Sequence, residues 1–263
     1  ERLTVVVGTV DRVGGNGIVV VHVVRSVPRQ TGGVNTDNAV TETAAFIDDR
    51  ARDVITVSGA DAQTYLQSQI AQEVRDLAVG TARWTLVLDP TGKIDALARL
   101  RRTSDDEFVL DTDAGFGAAL LARINRFKIR VEAETSLAEA VAEAPSAEHE
   151  RRRIGAGWPR MGSEIEPGST IPATTGVVVL TVNFEKGCYP GQELVERMDS
   201  RGADAPRSLR VIEVNDCAAV GDSLHGADGS NVGTVTSVAD DDGVALAYIK
   251  RGVDLGRTPA HFA

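Results

Sequence analysis

Hydrophobic positions fall in short runs with turn residues between them, and the spacing switches between strand and helix periods along the chain. Residues 3–27 hold two valine-rich runs separated by Gly14-Gly15-Asn16-Gly17. Asn-Gly between apolar runs predicts a hairpin, because both central residues tolerate positive φ. No helix and no Lys-Ser/Thr follow, so these glycines are not a phosphate loop. Residues 28–40 read as a polar connector. Val54-Ile55-Thr56-Val57 predicts a strand. Asp61 then stands as N-cap of a helix reaching Val74, with Tyr65, Leu66, Ile70 and Val74 on one stripe.

Trp84-Thr85-Leu86-Val87-Leu88 and Ile94-Asp95-Ala96-Leu97 flank Asp89-Pro90-Thr91-Gly92, a turn by its own chemistry. Residues 108–111 form a further strand. Residues 118–127 form a helix with Leu120, Leu121, Ile124 and Phe127 inward. This order predicts an α+β fold, an antiparallel sheet packed on helices. Residues 133–150, rich in alanine and glutamate, read as a solvated connector between lobes, and Arg151-Arg152-Arg153 as a solvated strand edge. Short strands over 209–214, 232–238 and 244–249, with Asp240-Asp241-Asp242-Gly243 joining the last two, fit a small barrel.

The densest chemistry is Lys186-Gly187-Cys188-Tyr189-Pro190-Gly191-Gln192-Glu193. The valine run at 177–182 reads as a strand entering this turn, and 192–198 as a helix leaving it. A cysteine there lies near helix amides and a lysine, both of which favour the thiolate. The same residues also suit a small buried thiol in a tight turn.

With 263 residues the chain can bury a core and divide into two or three compact units. Its formal net charge of -10 disfavours nonspecific binding to nucleic acid. The two cysteines, Cys188 and Cys217, come without a Cys-x-x-Cys or a His-rich tract. That predicts neither a disulfide framework nor a metal site and fits a reducing cytosol. The valine run at 19–24 is interrupted by His22 and too short to span a bilayer.

The block from Lys186 to Glu193 resembles the signature of the YgfZ family, folate-binding proteins linked to iron–sulfur protein maturation and related to the glycine-cleavage T-protein. Tyr65-Leu66-Gln67-Ser68-Gln69-Ile70 is similar to the family's aromatic-Leu-Gln-x-Gln segment, with Ser68 where a glycine is usual. The stretch from Arg153 through Gly157 and Gly162 to Glu164 resembles a pattern shared with T-proteins. Gly233-Thr234-Val235-Thr236-Ser237 resembles part of their C-terminal barrel. Two departures stand out: Pro172-Ala173-Thr174 where the family has Pro-x-Glu, and Asp95-Ala96 where T-proteins carry an Asp-Asp pair whose acid serves one-carbon transfer.

The resemblance covers residues 43–263. It implies a T-protein-like ring of three lobes around a central folate channel, built of antiparallel sheets with helices plus a small C-terminal β-barrel. Residues 1–42 form a hairpin and connector without an assigned role. Residues 43–206 form the folate-binding region, its second lobe at about 54–145, and 207–263 the barrel. The implied cofactor is tetrahydrofolate or another reduced folate, contacted by Arg153, Glu164, Lys186, Tyr189, Gln192 and Glu193. Cys188 is the implied working thiol and Asp95 the one acid left for transfer chemistry.

The implied function is a cytoplasmic folate-binding factor that supports assembly or repair of iron–sulfur enzymes and, through them, tRNA thiolation. Its partners are iron–sulfur client or assembly proteins, not nucleic acid or membrane. A folate-dependent aminomethyltransferase or demethylase using Asp95 is the alternative, and a non-catalytic scaffold of the same fold is the third. Loss of the transferring acid would leave binding without transfer, because acid–base catalysis needs a positioned titrating group, and Asp95 could stand at either position of the pair. The residues therefore favour a factor over an enzyme.

Overall fold

The computed structural model describes residues 3–9, 18–25, 51–141, 143–200, 205–214, 217–239 and 243–257. The chain divides into two compact units. One takes Glu1–Asp49, Pro145–Pro159 and Asp204–Ala263, and the other Arg50–Ala144 and Arg160–Ala203.

The second of these units carries the site. Strands β3 (Arg52–Ser58), β4 (Ala82–Leu88), β5 (Ile94–Arg102), β6 (Glu107–Asp113) and β7 (Glu134–Ala138) form an antiparallel sheet in the order β4-β5-β6-β3-β7. Helices α1 (Ala62–Gln69) and α2 (Gly117–Asn125) pack on it. Ile55, Leu66, Ile94, Leu100, Phe108, Leu110, Leu120 and Ile124 are fully or almost fully buried between these layers. Burying each such side chain contributes about 1.5–3 kcal/mol.

Helix α1 is shorter than its apolar stripe predicts. It stops at Gln69, and Ile70 turns extended at φ -116° and ψ 162°. Ile70 and Val74 are still fully buried, but on an irregular segment. Val74 donates its N–H to the Gln67 side chain (2.8 Å), which serves where a helical carbonyl would have. Asp61 does not cap the helix. Its backbone is helical and its carboxylate accepts from the Glu132 N–H instead (2.8 Å). On α2, Leu120 and Ile124 point inward as expected, whereas Phe127 lies past the helix end, over a third exposed.

Residues 133–150 are not a plain connector. Glu134–Ala138 adds an edge strand beside β3, with its alternate residues exposed. Charged side chains on an edge strand discourage pairing with other chains. In the other unit, α3 (Ala147–Ala156) contains Arg151-Arg152-Arg153, so these arginines are helical and not a strand edge. Ser146 caps the helix by accepting from the His149 N–H (3.1 Å), and Glu148 and Glu150 pair with the arginines one turn on.

That unit is built on a six-stranded sheet of β1 (Leu3–Thr9), β2 (Ile18–Arg25), β8 (Arg207–Glu213), β9 (Ser223–His225), β10 (Asn231–Ala239) and β11 (Val244–Lys250), ordered β1-β2-β9-β10-β11-β8. The two N-terminal valine runs pair antiparallel with each other, and β2 joins β9 in parallel. Residues 10–17, where the hairpin turn was expected, and the connector at 28–40 lie outside the described residues. Leu246 and Tyr248 pack with Ile154 of α3, while Ala245, Ala247 and Ile249 fill a second cluster with Ile212, Leu224 and Val235. Strand alternation assigns β11 side chains to two separate apolar layers.

Candidate functional site

Three stretches far apart in sequence converge in the second unit: the end of α1, the Asp89–Gly92 turn and the 186–193 block. The valine run leading into that block is not a strand. It forms a single helical turn, α5 (Val178–Thr181), after a first turn α4 (Pro172–Thr175) that ends on the left-handed Gly176. Thr181 bonds back to the Val177 carbonyl (2.8 Å), and Asn183 donates to the Ala71 carbonyl (2.9 Å). The segment thus docks on the loop after α1 and packs against the edge strand β4 without joining the sheet.

Lys186 is 5% exposed, and its ammonium points into the unit. It donates to the carbonyls of Gln67 and Ile70, the latter at 2.6 Å, and lies 4.9 Å from the centre of the Tyr189 ring. These carbonyls end α1, where the helix dipole favours a cation. Burial nevertheless pulls the amine down to about 8. Glu73, itself held at about 2 chiefly by the Arg75 guanidinium, opposes that fall. The Lys186 carbonyl in turn accepts from the Gln67 side chain at 3.0 Å.

The next residues turn outward. Gly187 has φ 93° with open space around its α-carbon, and Cys188 is free and exposed. Tyr189 folds back in. Its hydroxyl is buried without a hydrogen-bond partner among the described residues, and burial pushes it up to about 12 with help from Glu196. Gln192 opens helix α6 (Gln192–Ser200), accepts from the Tyr189 N–H (3.3 Å) and donates to Glu196. The Glu193 side chain is almost fully exposed, 4.0 Å from Arg197.

Gly191 explains why this block needs glycine. At φ 84°, a Cβ would stand 2.4 Å from the Asp89 carbonyl and 2.9 Å from the Gly92 α-carbon. A Cβ on Gly92 would meet that of Leu194 at 2.5 Å. The two turns therefore pack backbone on backbone. Asp89 stiffens its own turn by accepting from the amides of Thr91 and Lys93.

Asp95 lies just past this turn, 3.4 Å from Arg123, and burial raises its carboxyl against the pull of that guanidinium. Arg123 is itself buried. It donates twice to the Leu88 carbonyl (3.0 and 2.7 Å) and once to Gln69 at the end of α1 (3.3 Å). Glu164 is 2% exposed, and its carboxylate accepts from the Arg160 N–H (3.0 Å). Its loop is tied to the start of β5 by bonds between Ile94 and both Gly168 and Thr170, and to Asp113 through the Met161 amide. Thr174, where the family has a carboxylate, is buried and bonds back to the Ile171 carbonyl (2.7 Å).

Arg153 lies in the other unit, fully buried. Its guanidinium is engaged by Glu150, the Trp158 carbonyl (2.8 Å) and Ser237 (2.8 Å). Among the described residues no His, Cys, Asp and Glu side chains cluster as a metal site would, and no helix is long and apolar enough to cross a membrane.

Sequence reasoning missed Gln67 and Arg123 as working parts. Arg123 falls three residues after the buried Leu120, on the inward stripe of α2, and a cation there was the available signal. Gln67 lies within the Tyr65–Ile70 segment, but nothing local names its partner 119 residues away.

Comparison with known proteins places this geometry. The GCVT N-terminal domain family matches residues 30–143. The fold is similar to the crystal structure of glycine cleavage system aminomethyltransferase T from Bartonella henselae, with a TM-score of 0.65 and 16% identity over 80% of this chain and 81% of that one. An uncharacterized protein of Haemophilus influenzae is 27% identical over 77% of this chain and 87% of its own length. The tRNA-modifying protein YgfZ of an Enterobacter species is 28% identical over 81% of this chain and 86% of its own. A mitochondrial iron–sulfur cluster assembly factor IBA57 homolog of Neurospora crassa is 38% identical over 69 residues, 26% of this chain and 16% of its own. The chain thus has a T-protein-like fold of antiparallel sheets and few helices. In sequence it is similar to YgfZ and to the GCVT N-terminal domain family.

Proposed function

We propose that this protein is a folate-binding accessory factor that supports assembly or repair of iron–sulfur enzymes, and through them tRNA thiolation, with Cys188 as its working thiol. The observation that carries the reading is an exposed cysteine on a turn whose two flanks are fixed: Lys186 on the end of α1 and Gly191 on the Asp89–Gly92 turn. The names of the Enterobacter and Neurospora relatives, one tRNA-modifying and one in iron–sulfur assembly, support it.

A reduced folate is the ligand this reading requires. In kind the residues fit: a buried carboxylate at Glu164 suits the donor edge of a pterin, and the unsatisfied Tyr189 hydroxyl offers a free hydrogen bond. When bound, the folate would supply a one-carbon carrier. The three-lobed ring around a folate channel, the closed C-terminal barrel and a cytoplasmic location belong to the same reading. Lys186, Gln192 and Arg153 are engaged within the protein, so contact with folate falls first to Glu164 and Tyr189. Asp95 is committed to Arg123, which fits binding better than transfer.

Calorimetric titration with tetrahydrofolate tests the pocket. One site is expected, weakened by Glu164→Ala. No heat and no change in Trp84 fluorescence at millimolar ligand would overturn it.

A further inference from the structure

The Gln67 and Lys186 side chains bond to each other's backbone. The Lys186 ammonium donates to the Gln67 carbonyl, and the Gln67 amide donates to the Lys186 carbonyl at 3.0 Å. The Gln67 amide also reaches Glu73 (3.1 Å), and its oxygen takes the Val74 N–H. Lys186 is bonded further to Ile70 and covered by the Tyr189 ring. These bonds all face the scaffold. The lysine charge is therefore spent inside the unit, on helix carbonyls, and not presented toward solvent where Cys188 stands.

We propose that Lys186 and Gln67 are positioning residues for the Cys188 thiol: their interlock fixes the peptide that enters the Gly187–Cys188 turn, so that an otherwise unsupported turn presents the sulfur in one conformation. Gly187 supplies the positive φ that sends the chain outward, but with nothing within 4 Å of where its Cβ would be, packing does not hold it. Order must come from the residue before and the ring after. Lys186 supplies the first directly, and the second through its contact with Tyr189. The charged groups around the ammonium are Glu73 and Arg75, on the loop that follows α1, so Cys188 need not be its electrostatic partner.

This inference rests on Cys188 being the working thiol, but its test does not use that activity. A nitroxide label on Cys188, in a Cys217→Ser background, reads motion at the turn, and iodoacetamide alkylation reads presentation of the thiol. Gln67 is half-buried and neutral, so Gln67→Ala keeps the charge while removing one half of the interlock together with the bonds to Glu73 and Val74. It should loosen the label and change the Cys188 alkylation rate several-fold, with Cys217 in the native background unchanged. Lys186→Met and Lys186→Arg should both do the same, because a planar guanidinium does not reproduce a compact ammonium on two carbonyls. If Lys186 instead activated the thiol by charge, Lys186→Arg would keep the native rate and Gln67→Ala would have no effect. That pattern, or a Gln67→Ala protein of native circular dichroism with native label motion and native rate, overturns the proposal. If both lysine variants fail to fold, Gln67→Ala alone decides. Failure of the working-thiol reading registers elsewhere, in rescue of cells by Cys188→Ala.

Discussion

Lys186 and Gln67, 119 residues apart, each use a side chain to bond the other's backbone carbonyl. This join sets where α1 ends. A helix leaves its last carbonyls unpaired, and a lysine arriving from the far end of the unit takes two of the carbonyls there. A buried donor lost from such a site leaves acceptors whose desolvation costs roughly 1–3 kcal/mol each.

The first prediction follows from the desolvation of that ammonium. Lys186 titrates near 8 when folded against an ordinary 10.5. Between these values the unfolded chain binds more protons than the folded one, so stability rises with pH through the window. The contribution is complete above the unfolded value and is lost as pH falls through about 8. The slope is at most about 1.4 kcal/mol per pH unit for one group. Urea unfolding of wild type and Lys186→Met from pH 7 to 10.5 should show the wild-type advantage growing with pH. Parallel curves would mean that the amine is not desolvated. Taking the difference removes Tyr189, which is pushed up and acts in both proteins.

The second prediction separates two glycines four residues apart. Gly191→Ala puts a Cβ into the Asp89 carbonyl at a positive φ, and should cost about 2–5 kcal/mol from clash and backbone strain together. Gly187→Ala meets open space and should cost only the left-handed penalty, about 1–2 kcal/mol. Denaturant midpoints of the two variants measure the difference. Equal midpoints would mean that the two turns are not packed backbone on backbone.

What the sequence disclosed is uneven for physical reasons. The strands at 84–88, 94–97 and 108–111 were readable because one face of each is apolar and a strong turn separates the first two. The strand at Glu134–Ala138 was not, since an edge strand whose exposed positions are Glu134, Ser136 and Ala138 looks like solvated chain. The valine run at Val178–Thr181 was misread because β-branched residues favour strands locally, whereas Gly176, Thr181 and Asn183 fix a helical turn through contacts the pattern does not encode. For the site, motif resemblance named Cys188 as thiol and Glu164 and Lys186 as folate contacts, without assigning where the Lys186 ammonium points. Only the fold reveals that it turns in. Arg153, implied as a folate contact, bonds from α3 to Ser237 of β10, a partner that local sequence does not name.

The last prediction tests Cys188. Both thiols are free and exposed, so exposure alone does not single one out. What distinguishes Cys188 is the fixed frame on either side of it, Lys186 before and Gly191 after, around an exposed residue. Those buried bonds end α1 and also hold both sides of an exposed turn. Replacing Cys188 by alanine removes a small exposed side chain and should change stability by no more than about 0.5 kcal/mol. Affinity for tetrahydrofolate should also be nearly unchanged. In cells lacking the native factor, Cys188→Ala should nevertheless fail to restore iron–sulfur enzyme activity, while Cys217→Ala restores it. Those assays, run with protein levels matched by immunoblot, separate a chemical role from a folding defect. Full rescue by Cys188→Ala would reduce the residue to a spacer between two glycines and leave the frame around it to serve the ligand alone.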